Sequence, residues 1–196
     1  MQMRFPMFLA PLLLAPMLLT GAAVFFAAVS FDPAPAQAET AATIEQNSRD
    51  ALALLRKNSA PADKIAEDAA AILVFPKIVK GGLIIGGQYG EGALFKNANV
   101  AQYYSTAAAS FGLQAGITTF GYAVFFMNDG SLSYLDNSDG WEIGTAPNVV
   151  VVDKGAAASL TTTSGRENIY VFFFDQKGLM AGLTIEGTKI TEINPD

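Results

Sequence analysis

The residue types able to do chemistry are sparse in this chain, and two are missing. The 196 residues contain no His and no Cys. Without His the usual general base near neutral pH is gone, and without Cys so is every thiol nucleophile. A Ser-His-Asp triad cannot be assembled, and an ordinary zinc site lacks both of its strong ligands. Carboxylates remain, with Glu91, Asp153 and Asp175 as the candidates for a paired acid and base. Asp153 and Asp175 sit in turn-like surroundings, where Asp serves local backbone bonding. The segment Asp136-Asn137-Ser138-Asp139-Gly140 lacks the acidic spacing and closing Glu of a calcium loop. The glycine-rich stretch Gly87-Gln88-Tyr89-Gly90-Glu91-Gly92 is GxxGxG rather than the dinucleotide pattern, and no Gly-Lys-Ser/Thr follows it. The residues therefore point to binding rather than to catalysis, with no metal site and no cofactor.

The binding candidates are cations at strand ends and the polar residues of the glycine-rich strand. Lys77 and Lys80 flank that strand, and Arg166 and Lys177 lie at loops, so that together they form a rim for an anionic head group. Tyr89 and Glu91 join them, because glycines on either side let a ligand approach the backbone. Net charge is −6 and the pI about 4.6. No basic cluster exists to neutralise a row of phosphates, which excludes nucleic acid.

The elements that must hold these residues begin after a leader. From Phe5 to Val29 the chain is apolar, and Ala36-Gln37-Ala38 presents small residues where signal peptidase reads them. We expect residues 1–38 to be a signal peptide cut after Ala38, and residues 39–196 to be one domain of the exported protein. Pro6, Pro11 and Pro16 weaken the alternative of a retained membrane helix. At 51% hydrophobic and 15% charged residues the chain is rich in core formers. A domain of this size buries roughly 70% of its surface on folding and needs no disulfide.

Helical periodicity opens the domain. Thr43-x-x-Gln46 reads as a capping box, followed by an apolar stripe of Ile44, Ala51, Leu52 and Leu55. Asn58-Ser59-Ala60-Pro61 ends this helix and starts a second, whose stripe is Ile65, Ala69 and Ile72. The run Ile72–Phe75 stops at Pro76. Strand-like patterns follow: an alternating Ser110–Gly121, an apolar Tyr122–Met127, then Val149–Val152 and Ile169–Phe174. Asn128-Asp129-Gly130 and Asn137–Gly140 read as turns, and Asp175–Gly178 as a hairpin loop into Leu179–Ile185. Gly-Leu-x-x-Gly recurs at Gly82–Gly86, Gly112–Gly116 and Gly178–Gly182, each read as a side-chain-free strip along one strand. The expected fold is α+β, N-terminal helices packed on a curved antiparallel sheet or small β-barrel.

Four ordered blocks carry a family resemblance: Ile72-Leu73-Val74-Phe75-Pro76-Lys77, Lys80-Gly81-Gly82 through Gly92, Ala109–Gly116 and Lys177–Gly182. Together they resemble the SYLF lipid-binding domain family, in its exported bacterial branch. The resemblance implies a domain that binds membrane lipid or phospholipid without catalysis. Eukaryotic relatives are linked to phosphoinositides and actin patches; no actin is expected as partner of an exported protein. Many relatives carry a Trp where this chain has Ala101-Gln102-Tyr103-Tyr104. The expected site of action is the periplasm or cell envelope. An envelope protein partner with no lipid ligand is the alternative.

Overall fold

A computed structural model describes residues 39–82, 85–111, 116–136, 141–142, 149–152, 168–178 and 187–196. The expected leader lies outside them, as do Asp153, Arg166, the Asn137–Gly140 turn and the segment after Gly178.

Two helices come first. α1 (Ala41–Asn58) is capped by Thr40, whose hydroxyl accepts from the Thr43 amide at 3.3 Å, so the cap stands three residues before the expected one. Gln46 instead donates to Asp50, one turn on. Ser59 ends α1 and caps α2 (Ala60–Asp68), with Pro61 in the first turn where a missing N–H costs nothing. Ile44 and Leu55 of α1 are buried, as expected from its stripe, and so is Ser48, which donates to the Val74 carbonyl. α2 ends before Ala69, and Ile72 already belongs to the first strand; Ile65, Ala69 and Ile72 nonetheless share one apolar cluster.

The strands are β1 (Ala71–Gly82), β2 (Ile85–Lys96), β3 (Asn99–Phe111), β4 (Gly116–Phe126), β5 (Trp141–Glu142), β6 (Val149–Val152), β7 (Ile169–Gly178) and β8 (Lys189–Ile193). They form one sheet in the order β5-β8-β3-β2-β1-β4-β7-β6, antiparallel except for β6 beside β7. The fold is α+β, and the described strands form an open sheet rather than a barrel. A third helix, α3 (Asp129–Asp136), replaces the turn expected at Asn128. Asn128 accepts from the Ser131 amide at 2.8 Å, and its own amide faces the Ser131 hydroxyl, which is a reciprocal cap.

Curvature follows from one hydrogen bond. Thr106 of β3 and Tyr122 of β4 join hydroxyls at 2.7 Å although β2 and β1 lie between their strands. Four flat strands would hold them about 14 Å apart at ~4.8 Å per strand. The sheet must curl over this face, and it does so above Gly90 and Gly92. A Cβ at Gly90 would meet the Lys77 carbonyl oxygen at 2.7 Å, and one at Gly92 would collide with the Val74 carbonyl. The concave face carries Leu73, Phe75, Ile78, Phe120, Tyr122 and Val124, with Leu132 and Leu135 of α3 packed on them. The convex face carries Ile72, Val74, Ala93, Phe95, Phe125 and Phe172, against which α1 and α2 lie.

β1 does not stop at Pro76. Its pairing with β2 shifts register between Val74 and Lys77, and that with β4 between Phe75 and Ile78. A bulge is where a strand accommodates a residue without an N–H. Val74 is convex, Phe75 and Ile78 are concave, so the irregularity inverts the alternation for the rest of the strand. The expected single strand Ser110–Gly121 is likewise divided: its ends belong to β3 and β4, and 112–115 lie outside the described residues.

Candidate functional site

The inversion in β1 decides where the cations go. Strict alternation from Val74 would put Lys80 on the helix-bearing convex face and Lys77 on the other. The bulge exchanges them. Lys77 and Val79 are convex and exposed, whereas Lys80 is turned to the concave side with 7% of its surface accessible.

A second bulge does the same for Lys177. β7 pairs Phe174 with Gly121 and Lys177 with Thr119, so Asp175 and Gln176 face Phe120 alone, and Asp175 takes the left-handed φ of 55°. The expected hairpin loop at Asp175–Gly178 is thus a bulge inside a strand. Its effect is to bring Lys177 onto the convex face, where it lies 4.0 Å from Asp175 in an exposed pair.

Cross-strand register then defines one row. Lys177 pairs with Thr119, Thr119 with Val79, Val79 with Tyr89, Tyr89 with Ala107 and Ala107 with Lys189. Residues directly opposite share a face. The row therefore runs over six strands with a lysine at each end and aliphatic and aromatic groups between. One row nearer the sheet end, Ile117, Gly81, Gly87 and Ala109 pair in the same way. None of the described helices covers this part of the face: Ile117 is 71% exposed, Ile85 68%, Tyr89 53% and Val79 45%. On the other side of the row, Lys77 pairs with Glu91. The Tyr89 phenol donates to Glu91 at 2.7 Å, and the Glu39 amide reaches the other carboxylate oxygen at 3.2 Å. Partial burial, with the Glu91 hydrogen bond and charge, pushes the Tyr89 phenol up to about 12, so it remains a neutral donor.

Four of the six expected site residues, Lys77, Tyr89, Glu91 and Lys177, thus share the convex face. Lys80 lies on the opposite face, and Arg166 is outside the described residues. Sequence reasoning missed Val79, Ile85, Ile117 and Lys189. Alternation around Gly81 and Gly87 was the available signal for the first three, but only register joins Lys189 to them.

The Gly-Leu-x-x-Gly motif proves to have another geometry at its first occurrence. Gly82 and Gly86 are cross-strand partners at the β1–β2 hairpin, and Gly82 also pairs with Gly116 of β4. The side-chain-free strip therefore runs across three strands instead of along one.

A cavity of about 400 Å³ opens between the helices and the far end of the sheet, lined by Leu52, Ile72, Phe95 and alanines with Arg49 and Arg56 at its rim. Both guanidinium groups have partners. Arg49 binds Glu45 and the Ala98 carbonyl and stacks on Phe95, and Arg56 binds Asp63 at 2.7 Å. Arg49 thereby ties α1 to the sheet, and Arg56 ties α1 to α2. Among the described residues no three Asp or Glu gather where a metal ion could sit, and no helix is long and apolar enough to cross a membrane.

Comparison with known families gives a match over the second half of the chain. Residues 107–195 fit the family Ysc84, described as "Las17-binding protein actin regulator". This is the SYLF domain family, so the resemblance drawn from the sequence blocks is shown over that segment, which begins in the exposed row at Ala107 and includes Ile117, Lys177 and Lys189. No curated protein matches the chain.

Proposed function

We propose that this SYLF-family domain is an exported, non-enzymatic lipid-binding protein that lays the open half of its convex sheet face on a membrane at the bacterial cell envelope. The observation that carries the reading is the row from Lys177 to Lys189 with Val79 and Tyr89 at its centre and Ile117 beside it. Magnitudes decide which part dominates. Full burial of an aliphatic side chain is worth about 1.5–3 kcal/mol, and a lysine near an anionic leaflet about 1 kcal/mol. Val79, Ile85 and Ile117 together outweigh the lysines, which orient the domain more than they hold it. Tyr89 suits the head-group level, with an apolar ring and a polar tip.

Export rests on the leader, Phe5 to Val29 with Ala36-Gln37-Ala38. Cleavage after Ala38 would turn the Glu39 amide, already 3.2 Å from Glu91, into an ammonium group paired with that carboxylate. The family's printed description names a protein partner and actin. For an exported chain the lipid-binding side of the family is the one that fits.

Co-sedimentation with phosphatidylglycerol and phosphatidylcholine vesicles tests the reading. The chain is expected to sediment with the first, and only modestly less at high salt. Ile117→Asp with Val79→Asp should abolish sedimentation without unfolding the protein. No sedimentation with either vesicle, or equal sedimentation of the double variant, would overturn it. A flat apolar patch rimmed by polar groups also suits an envelope protein partner. That second reading gains if the double variant loses a cross-linked envelope protein while vesicles bind neither form.

A further inference from the structure

The concave face of the same strands holds a residue that membrane docking leaves unused. Lys80 pairs in register with Gln88 of β2 and Thr118 of β4, and all three are buried, with 7%, 8% and 0% of their surfaces accessible. The Lys80 ammonium makes no hydrogen bond or ion pair with any described residue. Gln88 donates to the Thr188 hydroxyl at 3.2 Å, and Thr106 joins Tyr122 in the adjacent row. No Asp or Glu occurs in the concave rows Thr118–Lys80–Gln88–Ala108 and Phe120–Ile78–Gly90–Thr106–Ile190. A lysine side chain kept largely out of solvent without a counter-charge is disfavoured, and a Met at this position would avoid that. The chain keeps the charge and supplies no acid on these rows to match it.

Toward the sheet end the next concave row runs through Gly116, Gly82 and Gly86 on three adjacent strands and then to Ser110 on β3. The three glycines place no side chain between Lys80 and that end of the sheet.

We propose that Lys80 is the counter-ion for an oxyanion, a phosphate or carboxylate group that reaches it over Gly116. A Cβ at Gly82 would collide with the Gly86 backbone, whereas one at Gly116 would meet nothing within 4 Å, and the oxyanion is free or sits at the tip of an alkyl or glyceryl chain. This site lies on the opposite face from the membrane-docking row and does not depend on it.

Calorimetric titration of the purified chain with inorganic phosphate, acetate, dihexanoyl phosphatidate and decanoate tests the proposal, using the wild type, Lys80→Met and, as the control on the other face, Lys77→Met. At least one probe should bind the wild type and Lys77→Met alike, and at least tenfold more weakly to Lys80→Met. Thermal unfolding of ligand-free Lys80→Met should occur at the wild-type temperature or above it, since an unmatched buried charge has been removed. Binding of phosphate or acetate alone would identify a free oxyanion, and binding confined to phosphatidate or decanoate a lipid head group. Binding of no probe to the wild type, equal affinity in Lys80→Met, or a Lys80→Met chain less stable than the wild type would overturn it. Vesicle sedimentation of Lys80→Met should be unchanged, so failure here is distinguishable from failure of membrane docking.

Discussion

The convex face of the sheet is one surface with two fates. Toward one end Ile72, Val74, Ala93, Phe95 and Phe125 are buried under α1 and α2; toward the other, on the same strands, Val79, Tyr89 and Ile117 are exposed. Side-chain alternation is not what differs, because both halves present an apolar set outward. Cover is what differs. α1 and α2 meet only the first half, tied there by Ser48 on the Val74 carbonyl and Arg49 on the Ala98 carbonyl. Where cover ends, the apolar residues thin out, glycines enter and lysines close the row. An apolar face that tertiary packing leaves bare is a surface available to something else.

The contrast can be broken most forcefully at the aromatic core. Phe125→Ala in the covered half should cost about 3–5 kcal/mol in urea denaturation, whereas Ile117→Ala in the bare half should change stability by about 0.5 kcal/mol or less. Equal costs would mean the bare half is not bare. Glycine substitution gives the next largest difference. A Cβ at Gly92 collides with the Val74 carbonyl, so Gly92→Ala should destabilise by roughly 1–3 kcal/mol. At Gly87 the nearest atom to a Cβ is the Ala108 carbonyl oxygen at 3.5 Å, and Gly87→Ala should be neutral or gain a few tenths of a kcal/mol.

Smaller effects sharpen the role of the helical cover. Ser59→Ala removes the α2 cap and should cost about 1 kcal/mol. Ala98 holds φ at 65° in the two-residue β2–β3 turn, beside Asn97 at 52°. Ala98→Gly should add about 1 kcal/mol by relieving the left-handed conformation. Differential scanning calorimetry reads both.

The smallest effect belongs to the bare half. Tyr89 has its phenol raised to about 12 in the folded chain, against about 10 when unfolded. Its contribution is fully present below pH 10 and is lost as pH rises from 10 through 12. Absorbance at 295 nm should show a late phenolate step that Tyr89→Phe removes and Glu91→Gln moves to lower pH.

Element types were largely legible, because helical and strand periodicities are local. Ser59 and Pro61 marked the helix junction, and the apolar run at Tyr122 marked a strand buried on both faces. Caps were legible in kind but misplaced: Thr40 lies three residues before the equally suitable Thr43, and Asn128-x-x-Ser131 was hidden in turn-like composition. The site was legible as a list of cations and a tyrosine. Their arrangement was not, since two bulges reverse the alternation in β1 and β7.

What the sequence determined alone is the chemistry this chain lacks and most of the elements it builds: no His, no Cys, two N-terminal helices and then strands. Those follow from residue type and local spacing. Only the tertiary structure decided which face each lysine takes, because a bulge forms between strands that no local pattern names. It put Lys77 and Lys177 on the exposed convex face and buried Lys80 behind them. It also turned the glycine repeat into a strip across three strands, since register is a property of pairs of strands and not of either one.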